Sequence, residues 1–266
     1  MFAFLLLAAV VTVPQGKAFQ LRVPHQDGIQ SVQLQWQNKK VPYIRVGEEW
    51  VAVVGVDLDV KPGKYPTTVE ITRAAGVTKD TVDVQVSSVR FPTTQLQVEE
   101  RFVQLNPRDL ARANSEAKEI ETIHNTIGNE ILWSEVFRSP VAGVAAGSNF
   151  GHRRVFNGQP RNPHNGADLR ARTGTPILAA NRGRVALAKD LFFTGNTVIV
   201  DHGLGIYTLY AHLSRIDVKQ GSVVDRGQLL GLAGATGRVT GPHLHWGARV
   251  QGARVDPFSL MAIGKP

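Results

Sequence analysis

The 266-residue chain is expected to be mainly β, with an N-terminal β-sandwich, a linking helix and a C-terminal antiparallel β domain. Three observations predict this. Short apolar runs alternate with polar residues early in the chain, one helical periodicity occupies the middle, and glycine-punctuated β-branched runs fill the rest. At this length two domains are the starting expectation. Hydrophobic residues make up 42% and charged residues 20%, a globular balance that argues against disorder. There is no cysteine, which excludes thiol nucleophiles, disulfide frameworks and thiolate metal sites.

Residues 1–18 read as a signal peptide or an anchor. Phe2–Val13 is an almost unbroken apolar run, and Gly16 and Ala18 are small residues suited to a cut. The run is too short to span a bilayer, which needs about 20 residues. Because no Lys or Arg precedes it, a buried N-terminal strand is the competing reading. The expected location is exported: periplasm, cell envelope or outside the cell.

Residues 19–91 carry the sandwich signal. Val32, Leu34 and Trp36 alternate with polar residues, as do Val69 and Ile71, then Val82, Val84 and Val86. Turn-forming stretches separate them: Asn38-Lys39-Lys40, Val60-Lys61-Pro62-Gly63-Lys64 and Ala75-Gly76. The pattern suggests an immunoglobulin-like sandwich. Its one histidine, His25, reads as a packing or surface residue.

Residues 92–138 form the linker, an extended segment followed by a helix. Asn106 suits an N-cap and Pro107 the first turn, with Leu110, Ala113, Ala117, Ile120, Ile127 and Ile131 at helical spacing. Arg112, Glu116, Lys118, Glu119 and Glu121 read as its solvated face, and His124 has no metal-spaced partner.

Residues 139–266 hold the chemistry. Runs such as Val198-Ile199-Val200, Ile206–Tyr210 and Gln228–Leu232, separated by turns, predict a compact antiparallel sheet. This part carries 15 Lys and Arg against six Asp and no Glu, whereas the rest carries 15 basic and 16 acidic residues. Such a surplus favours anionic partners. The arginines are scattered in sequence rather than interleaved with aromatics, so nucleic acid is not the expected partner.

His164 and Asp168 stand four apart across Pro163 and Gly166, a spacing read as a loop entering a strand. His243-Leu244-His245 places two imidazoles on one face of a strand with Leu244 turned away. His212 closes another strand in Tyr210-Ala211-His212-Leu213-Ser214. Two spaced pairs and a third histidine in one domain point to a metal. Catalytic zinc takes three protein ligands and keeps a position for water, whose pKa it lowers to about 7. With no Glu after Glu135, proton handling falls to histidine. Spacing alone leaves open whether His243 or His245 binds the metal.

These stretches, with Ser148-Asn149-Phe150-Gly151, Gly195-Asn196-Thr197-Val198, Asp201-His202-Gly203, Gly234-Ala235-Thr236-Gly237 and Gly241-Pro242-His243-Leu244-His245, resemble the M23 metallopeptidases of the lysostaphin and LytM type. The resemblance covers about residues 139–260. The preceding region, on Trp50 to Tyr65, is similar to the sandwich that precedes the catalytic domain in some members. The resemblance implies zinc on His164, Asp168 and His245, with His212 and His243 as the catalytic pair. Where the family often has Phe-Glu after the last ligand, this chain has Trp246-Gly247, a difference that bears on substrate preference. His152 and His202 remain as structural or rim residues.

The implied function is a zinc metalloendopeptidase that hydrolyses peptide bonds of bacterial peptidoglycan, acting on its stem or bridge peptides. The alternatives are a non-catalytic wall-binding or regulatory protein, and a secreted metallopeptidase acting on proteins.

Overall fold

The computed structural model describes residues 10–143 and 148–266. Eight strands build the N-terminal unit: β1 (Val10–Pro14), β2 (Ala18–Pro24), β3 (Ile29–Trp36), β4 (Lys39–Pro42), β5 (Ile44–Val46), β6 (Glu49–Gly55), β7 (Gly63–Arg73) and β8 (Gly76–Ser87). They form two sheets, ordered β1-β8-β7-β3-β4 and β2-β6-β5, closed over one apolar core. The alternation seen in the sequence sets the inward faces. Val32, Leu34 and Trp36 of β3, Val69 and Ile71 of β7, and Val82, Val84 and Val86 of β8 are all buried there. The period of two sends every second side chain inward, so polar neighbours stay out.

The end of the N-terminal apolar run belongs to this sandwich. Val10–Pro14 pairs in parallel with Asp83–Ser87, and Val13 is buried. Val10–Pro14 is thus an edge strand of the sandwich, ahead of residue 19, with Val13 its buried residue. The first nine residues of the expected signal segment lie outside the described residues.

The linker is less separate than its sequence suggests. β9 (Thr93–Leu96) pairs in parallel with β10 (Arg153–Phe156), which pairs in turn with β11 (Gln159–Arg161). Trp133 and Phe137 are buried in the core of the C-terminal unit. Helix α1 (Pro107–Asn125) starts as expected, with the Asn106 side chain accepting from the Asp109 amide. It stops short of Ile127 and Ile131, because Thr126 turns extended and its N–H closes on the Ile123 carbonyl. Ile131 instead bridges Gly203.

The charged face of α1 is also not simply solvated. Arg112 bonds Asp190, Lys189 pairs with Glu119, and Glu116 accepts from the Phe192 amide at 2.7 Å. Leu110, by contrast, is 47% exposed. Ile120 and Ile123 pack against Leu187, Leu191, Ile199 and Tyr207, and the polar contacts to the charged turn add to that apolar seam in laying the helix on the C-terminal unit.

That unit is one antiparallel sheet built on β12 (Gly166–Leu169), β13 (Pro176–Leu178), β14 (Gly183–Leu191), β15 (Gly195–Asp201), β16 (Ile206–Ile216), β17 (Val223–Val224), β18 (Leu229–Ala233), β19 (Leu244–Val250) and β20 (Ala253–Val255). Its main path runs β12-β19-β16-β15-β14-β17, with β18 joining β13 to β16 and β20 flanking β19. The two units are tied together. Arg254 forks onto Asp57 and reaches Asp59, Lys17 pairs with Asp256 at 2.7 Å, and Gln251 donates to the carbonyls of Val53 and Leu204. No helix of the described residues is long and apolar enough to cross a membrane.

Candidate metal centre

Sheet register brings the predicted residues together. β19 lies between β12 and β16, so His245 faces Asp168 on one side and Ala211 on the other. Leu244 and Trp246 point to the opposite face and are fully buried in the core. His164 precedes β12, and the carbonyl of Asn149 lies 3.1 Å from its Nδ1. All three side chains converge. His164 Nε2 lies 2.9 Å from His245 Nδ1 and 3.0 Å from Asp168 Oδ1, and His245 Nδ1 lies 2.9 Å from the same oxygen.

Those contacts do not make sense as hydrogen bonds alone. With Nδ1–H given to Asn149, a neutral His164 presents a lone pair at Nε2. A lone pair 3.0 Å from a carboxylate oxygen is repulsive unless a cation sits between them. Two imidazole nitrogens and one carboxylate oxygen, 2.9–3.0 Å apart, form a slightly contracted version of one tetrahedral face, whose edges are about 3.3–3.6 Å for metal–ligand bonds near 2.0–2.2 Å. The donor set therefore fits zinc.

Electrostatics agree. Burial pushes the His164 imidazole down to about 4, outweighing the pull of the Asp168 carboxylate, so the ring is neutral near pH 7. Burial alone would raise the Asp168 carboxyl, but the His164 and His245 imidazoles facing it hold it well below the usual carboxylate range. A neutral His164 ring and an ionised Asp168 are the forms a metal needs.

A second layer fixes the carboxylate. Asp168 Oδ2 accepts from Asn149 Nδ2 at 3.0 Å and from Arg154 Nη2 at 2.9 Å, while the Asp168 amide donates to Asn149 Oδ1 at 2.9 Å. Oδ1 is left to the cluster. Oriented outer partners of this kind set ligand geometry and basicity. The Ser148-Asn149-Phe150-Gly151 stretch stood out in the sequence, but nothing there assigned Asn149 and Arg154 these contacts. Gly166 completes the fit, since a Cβ there would lie 2.7 Å from Cε1 and Nε2 of His245.

His243 and His212 flank the triangle. His243 Nε2 is 3.6 Å from Asp168 Oδ1, and the His212 ring centre is 4.9 Å from that of His243 and 6.0 Å from that of His245. Each gives its Nδ1 side to a backbone carbonyl, Gly241 for His243 and Thr236 for His212, both at 2.8 Å. That selects the tautomer with a bare Nε2. Burial, with the neighbouring His245 and His243, pushes His212 down to about 3.

His212 is placed by a bulge. Three residues of β15, Asn196–Val198, face four of β16, Tyr210–Leu213, and His212 takes φ +64°. A bulge with a left-handed residue re-aims one side chain out of the ladder. The glycine-rich stretches noted in the sequence support it. Thr236 Oγ1 accepts from the Asn196 amide and donates to the Leu213 carbonyl, and Gly195 (φ +60°) leaves room for Thr236.

The other histidines stay outside. His202 is fully buried between the Arg182 carbonyl and the Thr208 hydroxyl, His152 bonds the Thr94 hydroxyl, and His25 accepts from Trp50. His124 packs edge-on against Tyr207, with a ring-centre distance of 5.7 Å. Of the Trp246-Gly247 pair, only Gly247 reaches the groove. The arginines, scattered in sequence, are partly gathered by the fold. Arg154, Arg161 and Arg238 share a cavity of about 570 Å³ with His164, His212 and His245.

Asp168 and His245 on one strand pair, His164 from the loop ahead of it, and two oriented imidazoles beside them define a metallohydrolase of the two-histidine, one-carboxylate kind. A profile of peptidase family M23 matches residues 162–257. A crystal structure of a Pseudomonas aeruginosa protein described as a peptidase M23 superposes with a TM-score of 0.68 at 34% identity, covering 91% of this chain and 92% of that one. The chain belongs to peptidase family M23.

Among curated relatives, the peptidoglycan DD-endopeptidase ShyA of Vibrio cholerae is 46% identical over 110 residues, 41% of this chain and 26% of ShyA. The DD-carboxypeptidase/endopeptidase Mpg of Neisseria meningitidis is 43% identical over 97 residues, 36% of this chain and 22% of Mpg. The matched segment spans about a quarter of the length of these relatives.

Proposed function

We propose that the protein is a zinc metalloendopeptidase that hydrolyses peptide bonds in bacterial peptidoglycan. The observation that carries this reading is the convergence of His164, Asp168 and His245 within about 3 Å of one another, beside two imidazoles with bare Nε2 atoms. His164 Nε2, Asp168 Oδ1 and His245 Nδ1 would hold the zinc. Zinc bound there supplies Lewis acidity toward a carbonyl and lowers the pKa of water to about 7.

The chain's own residues handle the protons. Both Nδ1–H groups are spent on carbonyls, so Nε2 is the ring nitrogen that His243 and His212 each turn to the substrate. One of them takes the proton of the attacking water at Nε2 and becomes an imidazolium. From the same atom it returns that proton to the leaving amine nitrogen, as a general base turned general acid. The other imidazole, also an acceptor at Nε2, takes a hydrogen bond from a substrate amide N–H and so orients the peptide. Asn149 and Arg154 hold Asp168 ionised and in place throughout.

Substrate follows from the relatives. ShyA and Mpg carry names that specify peptidoglycan or DD bonds, and they are 46% and 43% identical to this chain over 110 and 97 residues. Wall peptide lies outside the cytoplasmic membrane, so the protein acts in the periplasm, the envelope or beyond. The working division is a sandwich over 19–91, extended in this fold by β1, a linker over 92–138 and a peptidase unit over 139–266.

The test is digestion of purified sacculi with and without a chelator, followed by mass analysis of released fragments. Chelator-sensitive release of new peptide ends supports the proposal. Absence of release by folded protein with one zinc per chain would overturn it.

A further inference from the structure

We infer that Arg238 is a specificity residue that holds a free carboxylate of the substrate beside the reacting bond. The inference rests on the wall-peptide reading above. Arg238 lines the cavity that His164, His212 and His245 close at one end. Its guanidinium carbon sits 4.7 Å from the Phe156 ring centre and 4.3 Å from that of Phe193, so two phenyl rings contact it. A guanidinium stacked on aromatic rings still offers its in-plane N–H fork, which matches a carboxylate.

The cavity's other charges are already committed. Arg154 is bound to Asp168, Arg161 donates to Gln159 and to the Pro160 and Val103 carbonyls, and Glu116 serves Arg112 and the Phe192 amide. Among the described residues, no carboxylate and no hydrogen-bond acceptor meets the Arg238 side chain. A half-buried cation facing two further arginines has an electrostatic deficit that an anion would relieve.

Position makes that anion part of the substrate. Arg238 stands between Thr236 and Gly241, the two residues whose carbonyls orient His212 and His243. Its own amide donates to the Phe193 carbonyl at 2.8 Å. A carboxylate on Arg238 would therefore be registered against both imidazoles through one short loop. A crosslink made through the second amine of a diamino dicarboxylic acid keeps a free carboxylate beside the bond, on the carbon that bears that amine. An ordinary protein main chain has none at that place. The site would thus favour wall crosslinks over denatured protein.

The experiment uses a synthetic crosslinked wall peptide in two forms, with that carboxylate free or converted to the carboxamide. Cleavage is followed as kcat and KM, and binding to chelator-treated protein is followed by calorimetry. The wild type is expected to prefer the acid by about tenfold or more, mainly in KM and in Kd. Arg238→Gln should bring the acid-to-amide ratio close to one, and Arg238→Lys should restore part of it. A merely structural arginine would change stability without moving that ratio. Equal handling of both forms by the wild type, or an undiminished preference in folded Arg238→Gln, would overturn the inference. Acid preference in binding without any cleavage would keep the subsite and sink the hydrolase reading instead.

Discussion

Asp168 and His245 are direct partners across the β12–β19 ladder, and their side chains meet at 2.9 Å on the same face of the sheet. Residues paired in an antiparallel ladder have Cβ atoms about 4.5–5.5 Å apart, so the backbone itself sets the carboxylate–imidazole distance. His164 is then delivered from the loop ahead of β12, within reach of both. Two of the three donors thus owe their relation to register, and a one-residue slip would turn one of them to the opposite face.

On the proposed ligand set, His245→Ala or Asp168→Ala should leave well under one zinc per chain after dialysis. His243→Ala and His212→Ala should keep stoichiometric zinc while activity falls by about two to four orders of magnitude. Metal analysis beside sacculus digestion separates the two groups. Full zinc retention in His245→Ala would remove it from the ligand set.

Gly166 is predicted to be as intolerant as a ligand although it touches no metal. An added Cβ would lie 2.6 Å from the Trp246 carbonyl and 2.7 Å from the His245 ring. The carbonyl belongs to the ladder and cannot retreat, so the ring must. Gly166→Ala should weaken zinc binding by about tenfold or more, as changes that misorient a ligand commonly do. Competition with a fluorescent chelator would measure it, and wild-type affinity would show that the ring can move freely.

Acid should destabilise the metal-free protein from about pH 6.5 downward. Burial pushes His124 and His212 down to about 3 and His164 and His202 down to about 4, from an ordinary 6.5. Between those limits the unfolded chain binds protons that the folded chain refuses. Their contribution is therefore complete above about 6.5 and lost as pH falls toward 4. Urea melts at intervals from pH 8 to 4.5 should show stability falling with a slope steeper than one proton per unit. A flat profile would mean that these rings take up protons without unfolding.

Much of this site was legible because its parts recur at fixed short spacings. His243-Leu244-His245 needs only the period of two of a strand, and burial of Leu244 with both imidazoles on the other face follows from it. Asn106-Pro107 marks a helix start by chemistry local to four residues. What the sequence hid depends on distant pairing. Arg154, Arg161 and Arg238 look scattered because β10, β11 and the 234–241 loop meet only in three dimensions. Glu116 reads as solvated until α1 is laid on the turn at Phe192. Val10–Val13 closes a run with the composition of a targeting segment, and the pairing of Val13 with Val86 places this end of it in a strand.

His212 offers a test of strain at the site. Its φ of +64° suits glycine, tolerates asparagine, and costs other residues about 1–2 kcal/mol. The bulge persists because the His212 amide donates to the Thr194 carbonyl and its ring to Thr236, both at 2.8 Å. Replacing the ring removes the second bond in every variant, so the variants differ mainly in backbone preference. His212→Gly and His212→Asn should therefore melt above His212→Ala, with glycine ahead by roughly 1 kcal/mol in unfolding free energy. All three should bind zinc and all three should be inactive, since none supplies an imidazole. If alanine proved the most stable of the three, the left-handed backbone at 212 would not be a source of strain. The bulge would then be held by the ladder on either side, with the histidine merely carried by it.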